Sequence, residues 1–190
     1  MNYSQKIFKK KLLLKIILFL PLLSSVIPFQ INSARATLEF QWDTDPRYKK
    51  LKWFQTNSNK FAKNKIFFIF RPSDRRTGLL KLNIKVPKTF KSILKTKNIS
   101  LCRVNIGGFD SRTKCLENIS SDVEINRETK KVEIFPMSPL PYDKESYAIV
   151  FKVTNPQKHG LYQFHSFGQS SGAIPIDSYL GSFTIKIDQQ

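Results

Sequence analysis

The sequence predicts a mainly all-β protein. The expected architecture is an antiparallel β-sandwich of about eight strands with one short helix, filling residues 37–190 behind a signal peptide at residues 1–36. Three observations lead there. Short apolar runs bounded by turn residues recur along the chain, the mark of strands joined by tight connections. Several of those runs alternate apolar and polar residues with a period of two. Only one segment carries helical spacing. The composition agrees: 190 residues, 41% hydrophobic and 13% aromatic with seven Gly, supply a core for one ordinary domain and exclude a disordered or collagen-like chain.

The elements follow in order. IFFIFR, residues 66–71, is a continuous apolar run ended by Pro72, Ser73 and Asp74. LLKLNIKV, residues 79–86, alternates. Leu80, Leu82, Ile84 and Val86 are expected on one face and Lys81, Asn83 and Lys85 on the other, with Pro87 as the stop. TFKSILKTK, residues 89–97, is the expected helix, because Phe90, Ile93 and Leu94 fall at i, i+3, i+4. ISLCRVNI (99–106), DVEIN (122–126) and KVEIF (131–135) read as strands, and the short RETK link makes the last two a hairpin. SYAIVFKV (146–153), GLYQFHSF (160–167) and SFTIKI (182–187) complete the set. In GLYQFHSF, Tyr162 and Phe164 face one way and Leu161, His165 and Phe167 the other. A strand packed on both faces is preferred there to an exposed aromatic platform, since aromatic side chains favour burial.

Residues 1–36 read as a secretory signal peptide. Lys6, Lys9, Lys10, Lys11 and Lys15 make a basic start, and IILFLPLLSSVIPF, residues 16–29, is the apolar stretch. Ala34 and Ala36 suit signal peptidase, which makes Thr37 the expected mature start. The alternative is an uncleaved N-terminal membrane anchor. The apolar stretch is short for that role and contains Pro21 and Pro28, whereas a spanning helix wants ~20 apolar residues. No later segment approaches spanning length. The mature chain is therefore expected to be exported, to the periplasm, a thylakoid lumen or the extracellular space.

Charge is unevenly distributed. Residues 37–97 carry 16 Lys/Arg against four Asp/Glu, whereas residues 98–190 carry ten of each. Such a field attracts anionic polymers or membrane surfaces. Nucleic acid is not the expected partner, because Lys outnumbers Arg 24 to 8 and nucleic-acid readers lean on Arg forks and stacked aromatics. The expected anion-binding face combines Lys81 and Lys85 on one strand with Lys88, Lys91 and Lys95 on the face of the following helix. A compositional bias toward Lys is the alternative reading of the same residues.

Cys102 and Cys115, the two cysteines, are expected to form a structural disulfide, since an exported chain meets an oxidising compartment and Gly107 and Gly108 let the intervening chain turn back. No metal or cofactor is expected. His159 and His165 have no nearby carboxylate, and Asp43 and Asp45 are not followed by an EF-hand pattern. No nucleophile elbow, zincin motif or phosphate loop is present.

YAIVFKVTNPQKHGLYQF, the later YLGSFTIKI, the Pro-ended KVPKTF and the GGF stretch together resemble the cyanobacterial family known as domain of unknown function 2808. Its NP-x-x-x-G-x-Y-x-F pattern is matched by Asn155, Pro156, Gly160, Tyr162 and Phe164, and its closing Gly-aromatic strand by Gly181 and Phe183. The resemblance spans about residues 37–188 and implies an exported protein without an assigned reaction. The expected function is that of a non-enzymatic exported module contacting an anionic envelope or membrane component. The rivals are an envelope carbohydrate-processing hydrolase and a structural subunit of an envelope complex.

Overall fold

Period-two alternation and turn residues produce strands where they occur, at the bounds set by backbone pairing. In a computed structural model, which describes residues 41–43, 45, 47–170 and 176–189, eleven strands form. They are β1 (Gln41–Asp43), β2 (Trp53–Gln55), β3 (Lys63–Phe70), β4 (Leu79–Lys85), β5 (Ile99–Asn105), β6 (Lys114–Ile119), β7 (Ser121–Asn126), β8 (Lys131–Pro136), β9 (Tyr147–Thr154), β10 (Gly160–Ser170) and β11 (Asp177–Ile187). Eight match expected runs; β1, β2 and β6 are additional. The expected signal peptide lies outside the described residues. Leu38–Gln190 form one compact unit that contains both sheets, the core and the disulfide, so it has what a self-standing fold requires.

One sheet runs β1-β10-β4-β8-β7, with β11 also paired to β10; the other runs β2-β3-β9-β5-β6. All pairings are antiparallel except that of β1 with β10. The core lies between the sheets. Phe68, packed beside Phe151 of its own sheet, meets Phe164 and Phe183 of the other, with ring centroids about 5 Å apart. The IFFIF run is continuously apolar because both faces of β3 are covered. Ile66, Phe68 and Phe70 enter the main core, while Phe67 and Ile69 join Cys102, Val104, Ala148 and Val150 in a second cluster.

The resemblance-bearing residues are framework. Gly181 has φ +151, and a Cβ there would stand 2.5 Å from Leu51 Cγ. Gly160, at φ +143, opens β10 in another conformation that side chains disfavour. Tyr162 donates its hydroxyl to the Lys158 carbonyl at 2.6 Å, closing the turn before β10. Tyr162, Phe164 and Phe183 are wholly buried. That excludes an aromatic platform on the inward face of β10.

Three expectations are corrected. Residues 89–97 form no α-helix; among the described residues the helices are 3-10 only, at Pro72–Asp74 and Thr96–Asn98. A helix there would stack Lys88, Lys91 and Lys95 at i, i+3 and i+7, and such like-charge neighbours destabilise a short helix that is already marginal. The chain instead extends. Phe90 goes inward against Tyr162 and Phe164, and exposure then alternates, with Lys91, Ile93 and Lys95 pointing out. Second, a register shift between Gln169 and Ser170, where β10 meets β4, buries Leu79 and leaves Leu80 exposed. Third, Asn83 is buried and bonded to Asp177 rather than facing solvent.

Cys102 and Cys115 are disulfide-bonded, with Cα atoms 5.7 Å apart, and tie β5 to β6 at the second apolar cluster, of which Cys102 is a member. Cys115→Ser is expected to lower unfolding free energy by about 2–5 kcal/mol. Urea denaturation of the unreduced proteins checks this, and a loss below about 1 kcal/mol would show that the hairpin holds itself.

Candidate functional site

Along β3 and β9 the outward-facing residues change character at one level of the sheet. Phe67 pairs with Val150, and both are apolar and buried; two residues on, Lys65 pairs with Lys152, and then Lys63 with Thr154. Directly opposed like charges destabilise an antiparallel pair, so the fold has no use of its own for Lys65 against Lys152.

These lysines line one side of a groove of about 760 Å³. Its other side is the extended segment after Phe90, which contributes Lys91, Ile93 and Lys95. Ser92 pins that segment by donating its hydroxyl to the Thr154 carbonyl at 2.7 Å. The end wall comes from the Asn155-Pro156 turn and the 56–62 loop. Asn155 donates through Nδ2 to the carbonyls of Asn57 (3.1 Å) and Asn59 (2.8 Å). Its Oδ1 accepts from Asn64 Nδ2 at 2.9 Å, and its amide donates to the Ala62 carbonyl. Asn155 is buried and its hydrogen bonds are made within the protein, so it builds the wall and does not reach a ligand.

Every charged side chain that lines the groove is a lysine. Lys63, Lys65, Lys91, Lys95 and Lys152 line it, and no Asp or Glu does. Among the described residues, none of the five lies within 4 Å of an acidic group. A second recess shares Lys65 and Lys152 and adds Arg112 and Lys114, extending the basic surface across the sheet.

The expected lysine face is therefore divided. Lys91 and Lys95 are in the groove. Lys88 is exposed in the turn before it, and Lys85 is exposed at the end of β4, in the other sheet. Lys81 leaves the set: its side chain is only 16% exposed and pairs with Glu133 (3.3 Å) and Asp177 (3.2 Å). Lys131 bonds the same two carboxylates at 3.0 Å, completing a balanced cluster. Lys63, Lys65 and Lys152 were missed by the sequence reading. The available signal was the phase of Lys63 and Lys65 with Phe67 and Ile69, and of Lys152 with Val150.

Two arrangements bear on hydrolysis. Glu133 and Asp177 share Lys81 and Lys131. Burial pushes both carboxyls up, but the lysines outweigh it and hold each below the usual carboxylate range. A proton-donating glycosidase acid needs the opposite shift. His165 Nδ1 lies 2.8 Å from Ser182 Oγ, but that oxygen also bonds Tyr179 Oη at 2.7 Å. Ser182 is 2% exposed, and the Tyr48 ring lies against His165. The pair stitches β10 to β11 and leaves a substrate no approach to the hydroxyl. Asp45, considered for calcium, is gripped by Arg47 through Nε and Nη2, which holds its carboxyl down at about 2.

Similar solved structures include BslA, described as a bacterial hydrophobin, at 17% identity, covering 74% of this chain and 98% of that one with a TM-score of 0.45. The collagen-binding domain of a Staphylococcus aureus adhesin is 10% identical, covering 71% of this chain and 95% of that one, TM-score 0.39. The collagen-binding subdomain of Enterococcus faecalis surface protein ACE is 9% identical, covering 76% and 99%, TM-score 0.41. All three are remote. No curated protein matches the chain in sequence. The family model for the protein of unknown function DUF2808 matches residues 39–187, a span that takes in both sheets and all the residues that frame the groove, and the chain belongs to that family.

Proposed function

We propose that this is an exported, non-enzymatic binding module whose lysine groove takes an anionic component of the cell envelope. The observation that carries the reading is the direct opposition of Lys65 and Lys152 across β3 and β9. It costs the free protein repulsion, which an anion seated between them would relieve. Export is supported by the character of residues 1–36 and by the disulfide, a bond that persists in oxidising compartments.

The test uses residues 38–190 with a soluble polyuronate and with anionic lipid vesicles. Binding to at least one should weaken as salt rises, because exposed charges are screened within ~8 Å at physiological ionic strength. Lys65→Glu with Lys152→Glu should weaken it by about tenfold or more, at roughly fivefold for each lysine brought to an anionic surface. Lys85→Glu, outside the groove, should change it little. Equal losses from the two sets of variants, or no binding at low salt, would overturn the reading.

A further inference from the structure

Resting on that reading, we infer that the groove's anionic partner is the surface of a lipid bilayer, with Phe61 and Ile93 entering the boundary between headgroups and acyl chains. Both side chains line the groove among the lysines. Phe61 is 63% exposed and Ile93 78%.

Each is held outward by the backbone. Phe61 has φ +57, in the left-handed region that a bulky side chain rarely adopts. The conformation is maintained because the flanking loop is tied down on both sides. Asn155 bonds the carbonyls of Asn57 and Asn59, and the Ala62 amide donates to the Asn59 carbonyl. Ile93 is turned out by the extended course of its segment, which buries Phe90 and alternates from there. Along that segment the exposed residues read Lys91, Ile93, Lys95, an apolar side chain between two cations.

That pattern discriminates between anionic partners. A hydrated acidic polysaccharide is satisfied by the cations and gains little from an isolated phenyl ring and a branched alkyl group. A bilayer with acidic headgroups uses both kinds of residue. Lysines meet the phosphates, their alkyl stems lie along apolar surface, and Phe and Ile side chains sink into the interface. The basic recess that continues through Arg112 and Lys114 broadens the cationic side, as a flat surface requires.

The experiment is co-sedimentation of residues 38–190, which lack the apolar N-terminal run, with two vesicle types. One is phosphatidylcholine with about a quarter phosphatidylglycerol, the other phosphatidylcholine alone; soluble polyuronate is titrated in parallel. The variant pairs Phe61→Asn, since Asn tolerates the left-handed region, with Ile93→Ser. Phe109→Ser, at a fully exposed aromatic outside the groove, is the control for general stickiness, and thermal melting confirms that each variant folds. The wild type should bind the acidic vesicles and not the neutral ones. Phe61→Asn with Ile93→Ser should weaken vesicle binding by about tenfold and leave any polyuronate binding unchanged, with Phe109→Ser behaving as wild type. Acidic-vesicle binding indifferent to the double variant, or lost equally in Phe109→Ser, would overturn the inference. Polyuronate binding without vesicle binding would overturn it too while leaving the anion-binding reading intact. Binding to neither would remove both.

Discussion

Phe68→Ala is expected to lower the free energy of unfolding by about 3–5 kcal/mol. Phe68 sits in β3, and its ring lies 4.9 Å from Phe151 and 5.0 Å from both Phe164 and Phe183, centroid to centroid. Those partners come from β9, β10 and β11, so the ring joins the two sheets at their centre. Alanine would leave a void walled by three aromatic rings, each anchored on a separate strand, and such walls cannot close together. Equilibrium urea unfolding measures the loss. A cost near 1 kcal/mol would show that β10 and β11 move inward to fill the space.

Asp143→Ala is the second large effect, expected at about 3–5 kcal/mol and above that of Arg75→Met. Arg75 has a fully buried side chain. Its guanidinium donates to Asp143 at 3.3 Å and to the carbonyls of Pro141 and Glu145 at 2.6 Å, and it lies over the Tyr147 ring. Tyr147 in turn donates its hydroxyl to Asp143 at 2.7 Å. Removing the carboxylate strands a buried cation, while removing the cation leaves a half-exposed carboxylate that water can solvate. The pH dependence follows. Burial pushes the Asp143 carboxyl up, but the Tyr147 hydroxyl, the Glu145 amide and Arg75 together outweigh it, so its folded pKa lies below the ordinary value. The stabilisation is complete above the unfolded pKa of about 3.9 and is lost as pH falls through the folded one. Burial, followed by the bond to Asp143, pushes Tyr147 up to about 12. Its contribution is complete below about pH 10 and disappears as pH rises through 12. Urea midpoints across both windows should show the wild type losing more than Asp143→Ala at each end, and parallel curves would contradict this coupling.

Strands with one or both faces in the core were legible because burial writes a period into the sequence. β6, KCLENI, carries almost no such period: it is an edge strand whose residues are all exposed or half-exposed, and it went unseen. β1 and β2 have three residues each, too few to establish any period. The segment after Pro87 was misread because Phe90, Ile93 and Leu94 satisfy helical spacing while Lys91, Ile93 and Lys95 satisfy a period of two. Local pattern could not choose between them; burial of Phe90 and the Ser92 bond to Thr154 did. The groove was only half legible for a different reason. Its lysines come from three distant stretches and meet through the pairing of β3 with β9, which is a property of register. Net charge likewise failed to reveal that Lys81 is neutralised by Glu133, 52 residues away.

The division of labour at the Asn155 turn has a consequence for inheritance. Asn155, Gly160 and Tyr162 hold the backbone of the turn beside the groove, and each is fixed by a hydrogen bond within the protein or by a backbone angle that other residues resist. The lysines that give the groove its charge are exposed and hold nothing in place. A lysine codon becomes a glutamate codon by one transition at its first base. The lining can therefore change sign in single mutational steps while the frame stays in place, so membership of the family does not by itself fix the charge of what the groove receives.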